Sequence, residues 1–324
     1  AARHRWNWAV TGRFTRRSLL VGSLGCLGSL GAASLAVAGC TTVARDGAPD
    51  AAGAAPSGTV APDSALAALE ARFGGRLGVF ALDTGNGASV GHRADERFPM
   101  CSTFKVLAAS AILRLRHTQP GLLDRLVRYS NAQLVSGAPV TSQHIADGMT
   151  VAALCQAAIA HSDNTAANLL LTILGGPPAV TAFARTLGDQ VSRLDRIEPA
   201  LNDVPPGELR DTSTPAQMAA DLHRLALGDA LDPVGRDLLT DWLLGNTTGA
   251  ERIRAGLPAR WRVGDKTGTG SRGEMNDLAV VWPPRRAPLI ISVYAVPGDP
   301  AAKPDNQVVA DAASIVAKAL VPTT

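Results

Sequence analysis

The segment Ser102-Thr103-Phe104-Lys105-Val106-Leu107-Ala108-Ala109-Ser110-Ala111-Ile112-Leu113-Arg114-Leu115 divides the chain into two kinds of sequence. Upstream of it, residues 77–82 read as a strand, and the Asn86-Gly87 turn leads into a second short strand. Residues 64–73 before them have helical spacing, with Ser64 as the N-cap. From Ser102 to about Trp242 the chain becomes Ala/Leu-rich with helical periodicity, clearest over residues 106–115, 151–160, 164–174 and 215–227. Strand signals then return over residues 261–266, 278–282 and 289–296, and residues 306–320 read as a closing helix. Strands at both ends with helices between them predict an α/β fold of the α+β type: a discontinuous α/β lobe, about residues 63–100 and 245–324, enclosing an all-helical lobe, about residues 101–244. Ligand clefts favour such boundaries, and residues 102, 162 and 266 fall at or facing them.

Those three positions open short motifs: Ser102-Thr103-Phe104-Lys105, Ser162-Asp163-Asn164 and Lys266-Thr267-Gly268. Roughly one S-x-x-K is expected by chance in a chain of this size. Alone, Ser102 and Lys105 would read as an N-capping serine and a surface lysine. In the company of the other two motifs they supply an acyl-transfer site without histidine. A serine hydroxyl is a poor nucleophile until a base takes its proton. If Ser102 opens a helix, Lys105 shares its face and the amine can reach the hydroxyl. The helix N-terminus would offer free N–H groups to a developing oxyanion. A fourth element is Arg196-Ile197-Glu198-Pro199-Ala200-Leu201-Asn202.

The four motifs together resemble the penicillin-recognising serine enzymes and, within them, the class A serine β-lactamases, over residues 64–324. Matches between the motifs include Asp147-Gly148-Met149-Thr150 and Asn164-Thr165-Ala166-Ala167-Asn168. The resemblance implies a five-stranded antiparallel sheet flanked by terminal helices, beside a helical lobe. It makes Ser102 the nucleophile and Ser162 the proton shuttle to the departing β-lactam nitrogen. Lys266 would hold the Ser162 hydroxyl and attract the substrate carboxylate, and Asn164 would bind the acylamino side chain and Lys105. Backbone N–H groups of Ser102 and Thr269 would form the oxyanion hole, with Thr267 and Gly268 in the same edge strand. Glycine at 268 would let substrate lie close. Glu198 with Asn202 would hold the water that hydrolyses the acyl-serine, and either Glu198 or Lys105 would be the acylation base. Asp163 is expected to fix its loop, Pro199 permits a cis peptide, and Arg196 with Asp211 would pin the base of the Ω-loop.

Two departures from the family pattern stand out. Glu274, Met275 and Asn276 occupy the strand where many relatives place a carboxylate-binding arginine, and Arg252 matches the position where a subset supplies it instead. Ser136-Gly137-Ala138 replaces a common aromatic gatekeeper, which predicts a more open cleft wall. In carbapenem-hydrolysing relatives a cysteine at the position of Cys101 forms a disulfide; the matching partner position here is Gly270, so no such bridge is expected. Cys101 and Cys155 are read as buried free thiols.

The chain has 324 residues, 46% hydrophobic and 18% charged, enough for a substantial core. Its net charge of +3 owes much to arginines before residue 18, and no basic patch with interleaved aromatics points to nucleic acid. His4, Arg5, Arg13, Arg16 and Arg17 precede an apolar, Gly/Ser-rich stretch over residues 19–39, the layout of a signal peptide spanning residues 1–40. Thr15-Arg16-Arg17-Ser18-Leu19-Leu20 reads as a twin-arginine export signal. Val37-Ala38-Gly39-Cys40 resembles a lipobox, which would make Cys40 the lipidated mature N-terminus, and residues 41–62 read as a flexible linker. The expectation is an exported, lipid-anchored monomer acting on a small-molecule β-lactam with no cofactor. The six histidines and two mature cysteines show no metal-ligand spacing. A D-Ala-D-Ala peptidase shares three motifs but lacks the Glu198-to-Asn202 element. A silent cell-wall lipoprotein would have no reason to keep Ser102, Lys105, Ser162, Glu198 and Lys266 together.

Overall fold

The computed structural model describes residues 61–322. The signal and lipidation motifs, Cys26, Cys40 and nearly all of the expected linker lie outside them. Helix α1 (Pro62–Phe73) follows, then strands β1 (Gly75–Asp83) and β2 (Ser89–His92). A 3-10 turn over Cys101–Thr103 feeds α2 (Phe104–Leu115). Helices α3 (Val151–Ala160), α4 (Asn164–Leu174), α5 (Pro177–Thr186), α6 (Pro215–Ala226) and α7 (Pro233–Leu244) build the helical part. Strands β3 (Arg262–Thr269), β4 (Met275–Trp282) and β5 (Leu289–Pro297) precede α8 (Asn306–Leu320). The five strands form one antiparallel sheet in the order β2-β1-β5-β4-β3, which leaves β3 on an edge. Two two-residue ladders, Phe98–Pro99 with Thr212–Ser213 and Leu126–Val127 with Met149–Thr150, interrupt the helical stretch.

The sheet is covered on both faces, so its strands read as nearly continuous apolar runs. Along β5, Ile290 and Tyr294 join a core with Phe104, Ile112, Leu154, Leu170 and Leu222 of the helical part. Ile291, Val293 and Ala295 point the other way, into a core with Leu66, Leu69, Val309 and Val316 of α1 and α8.

Three expectations need correction. Helix α1 begins with Pro62 at its first position after Ala61, so Ser64 is not the cap and Pro62 is not linker; proline's fixed φ and missing N–H suit that position. Strand β3 runs on through Thr267, Gly268 and Thr269. Strand β4 starts at Met275 although Asn276 and Asp277 are polar. Both are fully buried; Asn276 donates to the Pro99 and Met100 carbonyls and Asp277 accepts from the Ile253 N–H, so tertiary partners replace the apolar signal.

Candidate active site

The position of Ser102 is built by a strained corner. Cys101 has φ 46°, in the left-handed region that side chains avoid, and it turns the chain from the sheet into α2. Thr103 Oγ1 donates to the Met100 carbonyl at 2.7 Å and shares a hydrogen bond with Tyr294 Oη at 2.8 Å, which fixes the turn. Ser102, 7% exposed, therefore sits at the mouth of α2. Its Oγ donates to Glu198 Oε1 at 3.3 Å.

Lys105 is fully buried on the first turn of α2. Its Nζ lies 3.0 Å from Glu198 Oε1 and donates to the Ser162 carbonyl (2.8 Å) and Asn164 Oδ1 (2.6 Å). None of its hydrogen bonds goes to the Ser102 hydroxyl, the partner that helical spacing suggested. The competing acceptors are stronger: a carboxylate and two carbonyl oxygens surround a cation that burial has stripped of water. Burial pushes the Lys105 ammonium below the usual lysine range, against the pull of Glu198.

The opposite wall is β3 and the turn before α4. Ser162 adopts φ 54° and is held by Lys266 Nζ at 3.0 Å. Asp163 anchors that turn by accepting from the N–H groups of Val140, Thr141 and Ala166 and from Thr141 Oγ1. Asn164 is aimed by Lys105 and by its own donation to the Ser136 carbonyl at 2.8 Å. Gly137, at φ 80°, has no room for a side chain, since a Cβ would stand 2.7 Å from Asn164 Nδ2. Lys266 is also fully buried, and its ammonium is pushed well below the usual range by burial first and by the charge of Lys105 second.

Gly270 donates to the Glu274 carbonyl at 3.0 Å, which fixes the hydrogen-bonding phase of β3 and β4. Thr269, one residue back, is then in a non-bonded pair with Met275 and turns its N–H toward the open edge. Gly268 also has close protein neighbours. A Cβ there would meet the Met100 carbonyl at 2.9 Å and Cys101 Cβ at 3.1 Å, so glycine admits the nucleophile's own turn. A Cβ at Gly270 would stand 3.1 Å from Cys101 Sγ, and both Cys101 and Cys155 are free and buried. Arg252 is 6% exposed and donates to the Gly268 and Asn276 carbonyls and to Thr269 Oγ1, with Asn306 Oδ1 on its Nε. Thr267 Oγ1 bonds Thr248 Oγ1 at 2.5 Å.

Glu198 comes from the loop over residues 193–212. Arg196 and Asp211 close the base of that loop, and Asp211 also accepts from the Asp195 and Arg196 N–H groups. The Glu198–Pro199 bond is cis. Asn202 Nδ2 donates to Glu198 Oε2, and the Asn202 carbonyl accepts from Ser271 of the β3–β4 turn. Residues not singled out for a role in the sequence complete the setting. Asn168 grips the Glu198 backbone with two 2.9 Å bonds from one helical turn beyond Asn164. Behind Lys266, Asp265 is paired with Arg254 and Asn246. Only the helical spacing of Asn164 and Asn168 carried any hint of these. Among the described residues no group of three His, Cys, Asp or Glu side chains gathers to hold a metal.

Ser102 Oγ on the Glu198 carboxylate and Ser162 Oγ between two buried ammonium groups place the fold among the serine acyl-transfer enzymes that recognise penicillins. A model of the β-lactamase enzyme family matches residues 61–320, and the chain belongs to that family as a class A serine β-lactamase. The chain is 56% identical to β-lactamase FAR-1 of Nocardia farcinica over 79% of its length and 82% of that protein. It is 50% identical to the carbapenem-hydrolyzing β-lactamase KPC of Klebsiella oxytoca, over 79% and 87% of the two chains. A class A β-lactamase structure from Mycobacterium abscessus superposes with a TM-score of 0.78 at 55% identity, covering 80% of this chain and 99% of that one. The activity is hydrolysis of the β-lactam amide through an acyl-serine, which confers antibiotic resistance.

Proposed function

We propose the following division of labour for penicillin and cephalosporin hydrolysis. Ser102 Oγ attacks the lactam carbonyl while its proton passes to Glu198 or to a neutral Lys105. The oxyanion is held by the N–H groups of Ser102 and Thr269, donors worth about 3 to 4 kcal/mol each in comparable sites. The C–N bond then breaks, and Ser162, supported by Lys266, hands a proton to the departing nitrogen and is reprotonated through Lys105 by the proton taken from Ser102. Lys266, Arg252, Thr267 and Thr269 receive the substrate carboxylate along β3 with its Gly268, and Asn164 receives the acylamino group. Glu198 and Asn202 then activate a water that attacks the ester carbonyl, returning the proton to Ser102 Oγ and releasing the acid.

The observation that carries this reading is the position of Glu198, in reach of Ser102 Oγ, Lys105 Nζ and Asn202 Nδ2 at once. It favours a hydrolase over a D-Ala-D-Ala peptidase, since an acyl-serine persists unless water is activated beside it. The test is turnover of a chromogenic cephalosporin with intact-mass analysis. The parent turns over steadily, Ser102→Ala gives neither turnover nor adduct, and Glu198→Ala accumulates a stoichiometric acyl-enzyme. A Glu198→Ala protein that still turns over at the parent rate would remove the carboxylate from the deacylation step.

We also propose that the protein is exported and held at the envelope membrane through a lipid on Cys40, working as a monomer. The support is the sequence Val37-Ala38-Gly39-Cys40 after the Arg16-Arg17 motif. After a high-salt wash, which screens surface electrostatics, Cys40→Ser should move the protein from the membrane to the soluble fraction; unchanged membrane retention after that wash would overturn the anchor.

A further inference from the structure

Strand β3 has the catalytic residues at one end and Trp261-Arg262 at the other, about 20 Å away at the usual rise per residue. At that remote end lies a groove of about 920 Å³ between the β4–β5 turn and the C-terminal turn of α8. Trp261 lies in its wall with Pro283, Pro284 and Val321, and Arg260, Arg285, Arg286 and Lys318 also line it. Among the described residues no carboxylate does. Arg286 is accounted for by Asp83 at 3.1 Å. Arg260, Arg285 and Lys318 are exposed and form no ion pair among the described residues. Among the other exposed arginines, Arg76 is matched with Glu96, Arg93 with Glu70 and Glu96, and Arg210 with Glu208, while Arg72, Arg114, Arg125, Arg128 and Arg262 form no ion pair among the described residues; what sets the groove apart is that three such cations line one concavity. Asp311, two turns back along α8, lies outside the groove lining and is engaged by Gln307. Just beside the groove, Arg262 lies over the ring of Trp282 at 5.2 Å. Arg285 stands in the β4–β5 turn at φ 59°, where glycine would be free of strain.

We infer that this groove docks on the anionic phospholipid headgroups of a membrane surface. An amphipathic indole suits the headgroup level, and arginine and lysine can lay apolar stems along a groove while their charges meet phosphates. Each such cation near an anionic membrane contributes appreciably and loses that contribution within a Debye length. A membrane-facing end here would turn the catalytic end of β3 away from the bilayer and toward incoming antibiotic. The inference is independent of the Cys40 anchor.

The test uses the full chain carrying Cys40→Ser, so that no lipid contributes, and vesicles of phosphatidylglycerol mixed with phosphatidylcholine. The arginines of the N-terminal segment are common to all the proteins compared, so the variant isolates the groove. Cosedimentation should exceed that with pure phosphatidylcholine and fall with salt. Combining Arg260→Gln, Arg285→Gln and Lys318→Gln should weaken partitioning about 100-fold, from three charges near the surface. Unchanged cephalosporin turnover would show that the variant is folded. Equal partitioning of variant and parent, or no preference for the anionic vesicles, would overturn the inference. Displacement of the parent by millimolar glycerol 3-phosphate would assign the groove to a soluble phosphate and overturn the membrane reading.

Discussion

Lys105 and Lys266 are both fully buried, face the same serine, and differ in what lies opposite them. Lys105 has the Glu198 carboxylate at 3.0 Å. Lys266 has the hydroxyl of Ser162 and the carbonyl of Thr267, and no carboxylate within ion-pair distance among the described residues. The first region is a compensated pair in which a proton can change hands with little change in net charge. The second is a positive wall, extended by Arg252 along the same strand, on which buried Asp265 and Asp277 pull from behind without forming an ion pair with Lys266. Burying a cation is costly, and burial is the first cause that pushes both ammonium groups down, with the charge of Lys105 adding to it at Lys266. On the proposed division of labour, the first side suits proton transfer and the second suits recognition of an anionic substrate.

The strongest challenge to that contrast is Lys105→Met. It should lower kcat by about 10²–10⁴-fold with KM little changed, the range for a lost acid-base participant; a pure KM effect in steady-state kinetics would make Lys105 a binding residue. Next, Lys266→Met should act chiefly on KM, raising it about 10–100-fold for carboxylate substrates, as expected for a lost charge-assisted hydrogen bond. Arg252→Met should raise KM about tenfold on the same scale, and should do so less for a substrate whose carboxylate is esterified. Equal losses for acid and ester would place Arg252 in the support of β3 alone.

The smallest effect on turnover is expected at Asp221→Asn, outside the cleft. Asp221 is 1% exposed, and burial, reinforced by the charge of Asp189, raises its carboxyl to about 8 from 3.8. Gln217 donates to it from its own helix, Arg224 is the nearby cation, and Asp189 belongs to the segment entering the Ω-loop. The unfolded chain ionises first as pH rises. Stability held below about pH 4 is therefore lost progressively up to about pH 8. Asp221→Asn, which cannot ionise, should raise the melting temperature by a few degrees at pH 8 and by less at pH 5. A gain that is equal at both pH values would show that the carboxyl does not titrate in that range.

Much of the site could be read from the chain because its parts are local. Ser102 and Lys105 are one helical turn apart, Ser162 and Asn164 flank one turn, and Lys266 to Thr269 lie in one strand. The hydrophobic runs found the long elements because both faces of the sheet are buried. The errors fall where a partner distant in sequence takes over. Asn276 and Asp277 extend a strand because distant backbone groups satisfy them. Asn168 was visible as a repeat on a helix face, but nothing local said that it grips Glu198.

The sequence by itself determined the family, and it set two serines, two lysines and a loop carboxylate in short motifs. These are matters of residue type and short spacing, which local geometry preserves. Only the tertiary structure decided which lysine faces Glu198, that Lys105 binds Ser162 and Asn164 rather than Ser102, and which cations outside the cleft remain unpaired. Those outcomes depend on contacts across 57 to 104 residues of chain. They also depend on the removal of water around buried charges, which no spacing of letters encodes.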